Sequence, residues 1–112
     1  MAKVFSSSVS ATVVTPNQSI FRAEVINVPL AGTPVQLPDI PVPDGVDLVI
    51  RAKQSNLFRK IYLSDSALNV VDATKRIELR AGEAIGLSIT NANLVWIDAS
   101  GNNTSIEVLV EA

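Results

Sequence analysis

Between Arg76 and Ser100 apolar side chains recur at every second position: Ile77 and Leu79, then Ile85, Leu87 and Ile89, then Val95, Ile97 and Ala99. A period of two is that of a strand with one face in a core. Ala81-Gly82-Glu83 and Asn91-Ala92-Asn93 separate the runs, and such turn-forming residues predict three short strands folding back on one another. Upstream, Val46, Leu48, Ile50 and Ala52 alternate with Asp47, Val49, Arg51 and Lys53. A further run from Phe58 to Ser64 sets Arg59, Ile61 and Leu63 against Phe58, Lys60 and Tyr62. With Ser55-Asn56 between them, these two segments predict a hairpin whose turn end is basic. Ser105 to Glu111 closes the chain with Ile106, Val108 and Val110 inward and Glu107, Leu109 and Glu111 outward.

Residues 3–14 set Phe5, Val9, Ala11 and Val13 against Ser6, Ser8, Ser10 and Thr12. They read either as an ordinary edge strand or as an N-terminal arm pairing with a neighbouring subunit, since an uncapped edge is a natural pairing site. After the turn Thr15-Pro-Asn-Gln-Ser19, residues 15–112 read as the sandwich domain itself. Ile20 to Val28 is a strand without a clean polar face, and Thr33 to Leu37 a short one. Pro38, Pro41 and Pro43 stiffen the segment that ends at Asp44-Gly45, which reads as a rigid crossover between two sheets. Residues 65–74 carry no period and leave loop, helical turn and short strand all open. No repeat, heptad or long amphipathic helix is present. The chain is therefore expected to be all-β, an antiparallel β-sandwich of about eight strands and of jelly-roll type.

Composition sharpens that picture. A chain of 112 residues makes one domain with a core of its own. It is 47% hydrophobic and only 18% charged, so apolar surface is left over for an oligomer or a docked partner. No apolar run approaches the roughly 18 residues of a membrane span, and no membrane association is expected. The N-terminus has no apolar stretch typical of a secretory signal, so cytoplasmic synthesis is the default expectation. A net charge of −2 argues against direct nucleic-acid binding.

Candidate chemistry is thin. Without histidine or cysteine the chain lacks the usual general base, the Ser-His-Asp and Cys-His constellations and zinc–thiolate sites. Asp39, Asp44 and Asp47 crowd near the proline-rich crossover, where calcium would take loop oxygens, but their spacing follows no calcium motif. No cofactor and no enzymatic activity are expected. Two features suit contact rather than catalysis. The basic residues Arg51, Lys53, Arg59 and Lys60 stand against an acidic C-terminal part, a polarity suited to head-to-tail packing of subunits. Trp96 points away from Val95 and Ile97, so a loop or another chain would cover it; as a sugar-stacking platform it would need Tyr62 or Phe58 beside it.

Asp44-Gly-Val-Asp-Leu-Val-Ile-Arg-Ala52 after the proline-rich crossover, Ile61-Tyr-Leu63, Ile77 to Asn91 and Val95-Trp-Ile-Asp-Ala99 together resemble small β-sandwich virion proteins of tailed bacteriophages. Those proteins decorate the outside of the head as cement proteins, and related modules occur in head fibres. The resemblance spans about residues 28–111 and implies a non-enzymatic, commonly trimeric protein. It would be made in the host cytoplasm and sit on the outer surface of the virion head. Its partners would be the major capsid protein lattice, near three-fold positions, and its own copies. Expected interface residues are Val4, Phe5, Val9 and Val13 on the arm, the basic set Arg51, Lys53, Arg59 and Lys60, and Trp96. Two other classes stay open: a carbohydrate-binding or host-recognition module of a phage fibre or spike, against which an aromatic content of 4% counts, and a small subunit of a cellular assembly.

Overall fold

The computed structural model describes residues 21–111. Eight strands form there: β1 (Phe21–Val28), β2 (Val35–Gln36), β3 (Leu48–Ala52), β4 (Ile61–Ser64), β5 (Ile77–Leu79), β6 (Ala84–Leu87), β7 (Trp96–Ala99) and β8 (Thr104–Glu111). They make two four-stranded sheets, ordered β1-β8-β3-β6 and β2-β7-β4-β5, with every pairing antiparallel. Each sheet interleaves strands from the start and the end of the chain, and most connections pass from one sheet to the other. That is the strand order of a jelly roll, and the fold expected from the alternating pattern is the one observed.

The alternation also places the core. Leu48, Ile50 and Ala52 of β3 and Ile106, Val108 and Val110 of β8 are buried and face Ile61 and Leu63 of β4, Leu79 of β5, and Ile97 and Ala99 of β7. The proline-rich crossover, which joins the two sheets as expected, is anchored on the core. Leu37, Ile40 and Val42 are buried beneath it. The Ile40 N–H donates to Asn91 Oδ1 at 3.1 Å, and the Ala92 N–H donates to the Ile40 carbonyl at 2.9 Å. Asn91 therefore ties the crossover to the segment entering β7. Within 65–74 a single helical turn, α1 (Ala67–Val70), is capped by the Ser66 hydroxyl, which accepts the Asn69 N–H at 3.1 Å and so satisfies one free helix donor.

Two expectations of strand pairing are corrected. Residues 46–54 and 58–64 are not a hairpin: β3 lies in the first sheet and β4 in the second. The three strands of residues 76–100 do not fold back on one another either. β5 pairs with β4, β6 with β3, and β7 with β2 and β4. Both corrections have one cause. Local sequence marks where the chain reverses, as at Gly82 with its φ of +85°. Whether the next strand lies beside the last or across the core depends on distant segments: β3 is flanked by β8 and β6, and β4 by β7 and β5.

The two ends of the sandwich differ. Loops 29–34, 53–60, 80–83 and 100–103 gather at one end, near the register pairs Arg51↔Ala84, Ala52↔Ile106 and Ile61↔Ala99. Loops 37–47, 65–76 and 88–95 gather at the other, near Leu48↔Leu87 and Ser64↔Trp96.

Candidate interaction surfaces

At the first end, loop 53–60 is built to hold its shape. Asn56 is buried, and its amide makes a two-way bond with the backbone of Ser105: Nδ2 donates to the carbonyl at 2.8 Å and Oδ1 accepts the N–H at 3.0 Å. The side chain thus extends the ladder past the end of β3. Arg59 bridges the same loop to its neighbour, donating to the carbonyls of Asn56 at 3.1 Å and Asn102 at 3.2 Å. On this base stand Leu57, 71% exposed, and Phe58, 96% exposed. Leu57 has φ 59° and ψ −109°. A positive φ there costs a non-glycine residue about 1–3 kcal/mol.

At the opposite end an apolar groove of about 480 Å³ opens between the edge strands of the two sheets. Leu63, Ile77, Leu87, Ile89, Leu94 and Val95 line it, with Ser64 and Asp65 at its polar margin. Ile77 is exposed and Leu87 and Ile89 are half-buried, so residues expected in a closed core are partly open to solvent, and Leu94 beside them is exposed as well. β5 and β6 have no further strand beside them among the described residues, and nothing there covers the gap.

The outer face of the first sheet carries two cross-strand rows, Ala23-Leu109-Val49-Gly86 and Val25-Glu107-Arg51-Ala84. Both are apolar except for the directly opposed pair Arg51 and Glu107, whose Nε···Oε1 distance is 2.7 Å. The outer face of the second sheet is more polar. Tyr62 and Trp96 lie there diagonally, because Tyr62 opposes Asp98 while Trp96 opposes Ser64 and Gln36. The Arg76 guanidinium covers one face of the Tyr62 ring, 3.5 Å from its centroid. Asp98 on this side is buried, its Oδ1 accepting the N–H groups of Gly32 and Ala99.

The basic set does not form one patch. Arg51 sits in the ladder of the first sheet, and Lys60 pairs with Glu78 at 2.7 Å on the second. Lys53 and Arg59 stay in the loop between them. The expected basic hairpin tip is thus divided over two faces and one end, because the two strands belong to different sheets. Trp96 is half-buried on the outer face, as its phase requires. Val4, Phe5, Val9 and Val13 lie outside the described residues. Asp39, Asp44 and Asp47 do not converge: Asp39 accepts from Asn91 Nδ2 at 2.6 Å, and Asp47 lies against Gly86. Among the described residues no group of three or more carboxylates could hold a metal ion. Two surfaces went unread in the sequence, the Leu57-Phe58 tip and the groove. The available signal for the first was two large apolar residues directly after the turn Ser55-Asn56.

Three exposed carboxyls ionise more readily than usual. The Lys60 ammonium holds Glu78 below its ordinary 4.5, the Asn69 amide lowers Asp65, and the Thr74 hydroxyl lowers Asp72. A depressed carboxylate contributes stability that is complete above its unfolded-state value and is lost as pH falls through the folded one. Their contribution should therefore be constant at neutral pH and disappear only in acid, below about 4.5 for Glu78. In Lys60→Met the Glu78 carboxyl should titrate closer to 4.5 when followed by NMR; an unchanged midpoint would contradict the assignment.

No protein-family model matches the chain. No curated protein and no solved structure matches it either. What fold and surface define is the class: a small jelly-roll sandwich with an exposed apolar tip, an apolar groove and a largely apolar outer face on one sheet.

Proposed function

We propose that the chain is a non-enzymatic structural protein of a tailed-phage virion, a decoration protein that binds the capsid lattice on the outside of the head and stabilises the shell as a trimer. The observation that carries this reading is the outer face of the β1-β8-β3-β6 sheet. Ala23, Val25, Val49, Ala84, Gly86 and Leu109 offer small and aliphatic side chains on a hydrogen-bonded sheet, with only the self-neutralised Arg51–Glu107 pair among them. Such a face gains from burial against another protein and loses little by desolvation. The resemblance of residues 28–111 to head decoration proteins supports the same reading. Modest contacts repeated by symmetry over a shell sum to a large stabilisation.

One observation favours a second reading, a carbohydrate-binding module of a fibre or spike: Tyr62 and Trp96 share the outer face of the other sheet. Arg76 already occupies a face of the tyrosine ring, which leaves little platform for a sugar. Light scattering coupled to size exclusion separates the two. The decoration reading expects a particle of three 11.9 kDa chains that ignores glycan arrays. A strict monomer that binds a defined glycan would overturn it.

A further inference from the structure

We infer that the Leu57-Phe58 tip of one copy seats in the apolar groove of a second copy, head to tail. The tip is costly to maintain alone. Phe58 is 96% and Leu57 71% exposed, so both lie largely off their own domain, and Leu57 holds a positive φ. Asn56 and Arg59 nevertheless fix the loop that carries them. Strain that yields so little internal packing points to a gain made elsewhere.

The groove supplies that gain. Its aliphatic lining, Leu63, Ile77, Leu87, Ile89, Leu94 and Val95, and its volume of about 480 Å³ suit an aromatic ring with a neighbouring leucine. Register places tip and groove at opposite ends of the sandwich, so a copy cannot fill its own groove with its own tip.

Charge selects a second copy as the occupant. The loops at the tip end, 53–60 and 80–83, carry Lys53, Arg59, Lys60 and Arg80 against the carboxylate Glu83, and Lys53, Arg59 and Arg80 make no ion pair among the described residues. The loops at the groove end, 37–47 and 65–76, carry Asp39, Asp44, Asp47, Asp65 and Asp72 against Lys75 and Arg76, so carboxylates outnumber cations there. Docking tip to groove brings the basic end of one copy against the acidic end of the next, which orients the encounter and opposes tip-to-tip contact. The contact joins two different surfaces, so it closes into a ring when its rotation divides a full turn and otherwise extends as a filament. It goes beyond head binding and stands or falls separately from it.

The absence of native cysteine makes the test clean. Phe58→Cys and Leu94→Cys proteins, one carrying a mass tag, are mixed under mild oxidation and run without reductant. The mixed disulfide should exceed either self-linked product by about tenfold, because docking raises the local thiol concentration toward millimolar. Phe58→Asp should reduce the light-scattering mass to that of one chain with its far-UV circular dichroism unchanged, since the residue lies largely off its own domain. Equal amounts of mixed and self-linked product, or a Phe58→Asp mass equal to that of the unaltered protein, would overturn the inference. So would mixed product that forms only once residues 1–14 are deleted, because the chain's own N-terminal segment would then be the groove's occupant.

Discussion

Replacing Ile50 with alanine is expected to destabilise the sandwich by about 3 kcal/mol, within the usual 2–5 kcal/mol for truncating a buried aliphatic side chain. Ile50 has no exposed surface and lies on β3, an interior strand of its sheet, opposite Val108 on one side and Ile85 on the other. Paired strands on both sides, β8 and β6, hold the backbone in place, so the structure cannot collapse into the space left and most of the cavity penalty remains. For a domain of this size the loss corresponds to a fall in Tm of roughly 15 °C. Urea unfolding should show a lower midpoint at an unchanged slope, the mark of lost stability without a changed unfolded state. Ile50→Val should cost only about 1 kcal/mol. A loss below that for Ile50→Ala would mean that the core is looser than its burial indicates.

Asn56→Leu is expected to cost about 2–3 kcal/mol, through a different mechanism. The leucine fills similar space but leaves the part-buried Ser105 N–H without its acceptor, and a donor orphaned away from water carries a desolvation penalty. The Ser105 carbonyl keeps a donor in the Lys53 N–H at 3.1 Å, so the loss is confined to one group. Hydrogen exchange checks this at a single position: the Ser105 amide should lose protection while the amides of β4 and β7 keep theirs. Because Asn56 also anchors loop 53–60, self-association should weaken although Phe58 is intact. A Ser105 amide that stays protected would show that another acceptor replaces the asparagine.

The fold was legible in the sequence because the period of two is a local property. Which of Leu48, Val49, Ile50 and Arg51 faces inward follows from alternation alone, and the structure agrees residue by residue along β3, β7 and β8. Strand partners are not a local property. Gly82 does turn the chain, yet β5 and β6 on its two sides lie in different sheets, and nothing within a few residues of Gly82 records that. The same limit scattered the basic set, whose members are close in sequence and lie on opposite sides of a crossover between sheets. Ile77, Leu87 and Ile89 read as core because their phase is that of core residues. Only the position of β5 and β6 at the two sheet edges makes them groove lining instead. Asn56 looked like a turn residue and is one, but its second task, pairing with Ser105 across 49 residues, requires the closed sandwich.

The outer face of the first sheet carries the functional proposal, and a binding measurement reaches it most directly. Purified protein is incubated with undecorated phage heads, the heads are pelleted, and bound protein is quantified against Val49→Glu, which places a charge in the centre of that face. The account predicts saturable uptake by the unaltered protein, greater resistance of the decorated heads to heat, and loss of most uptake with Val49→Glu. Heads that pellet without the protein at saturating concentration would contradict it.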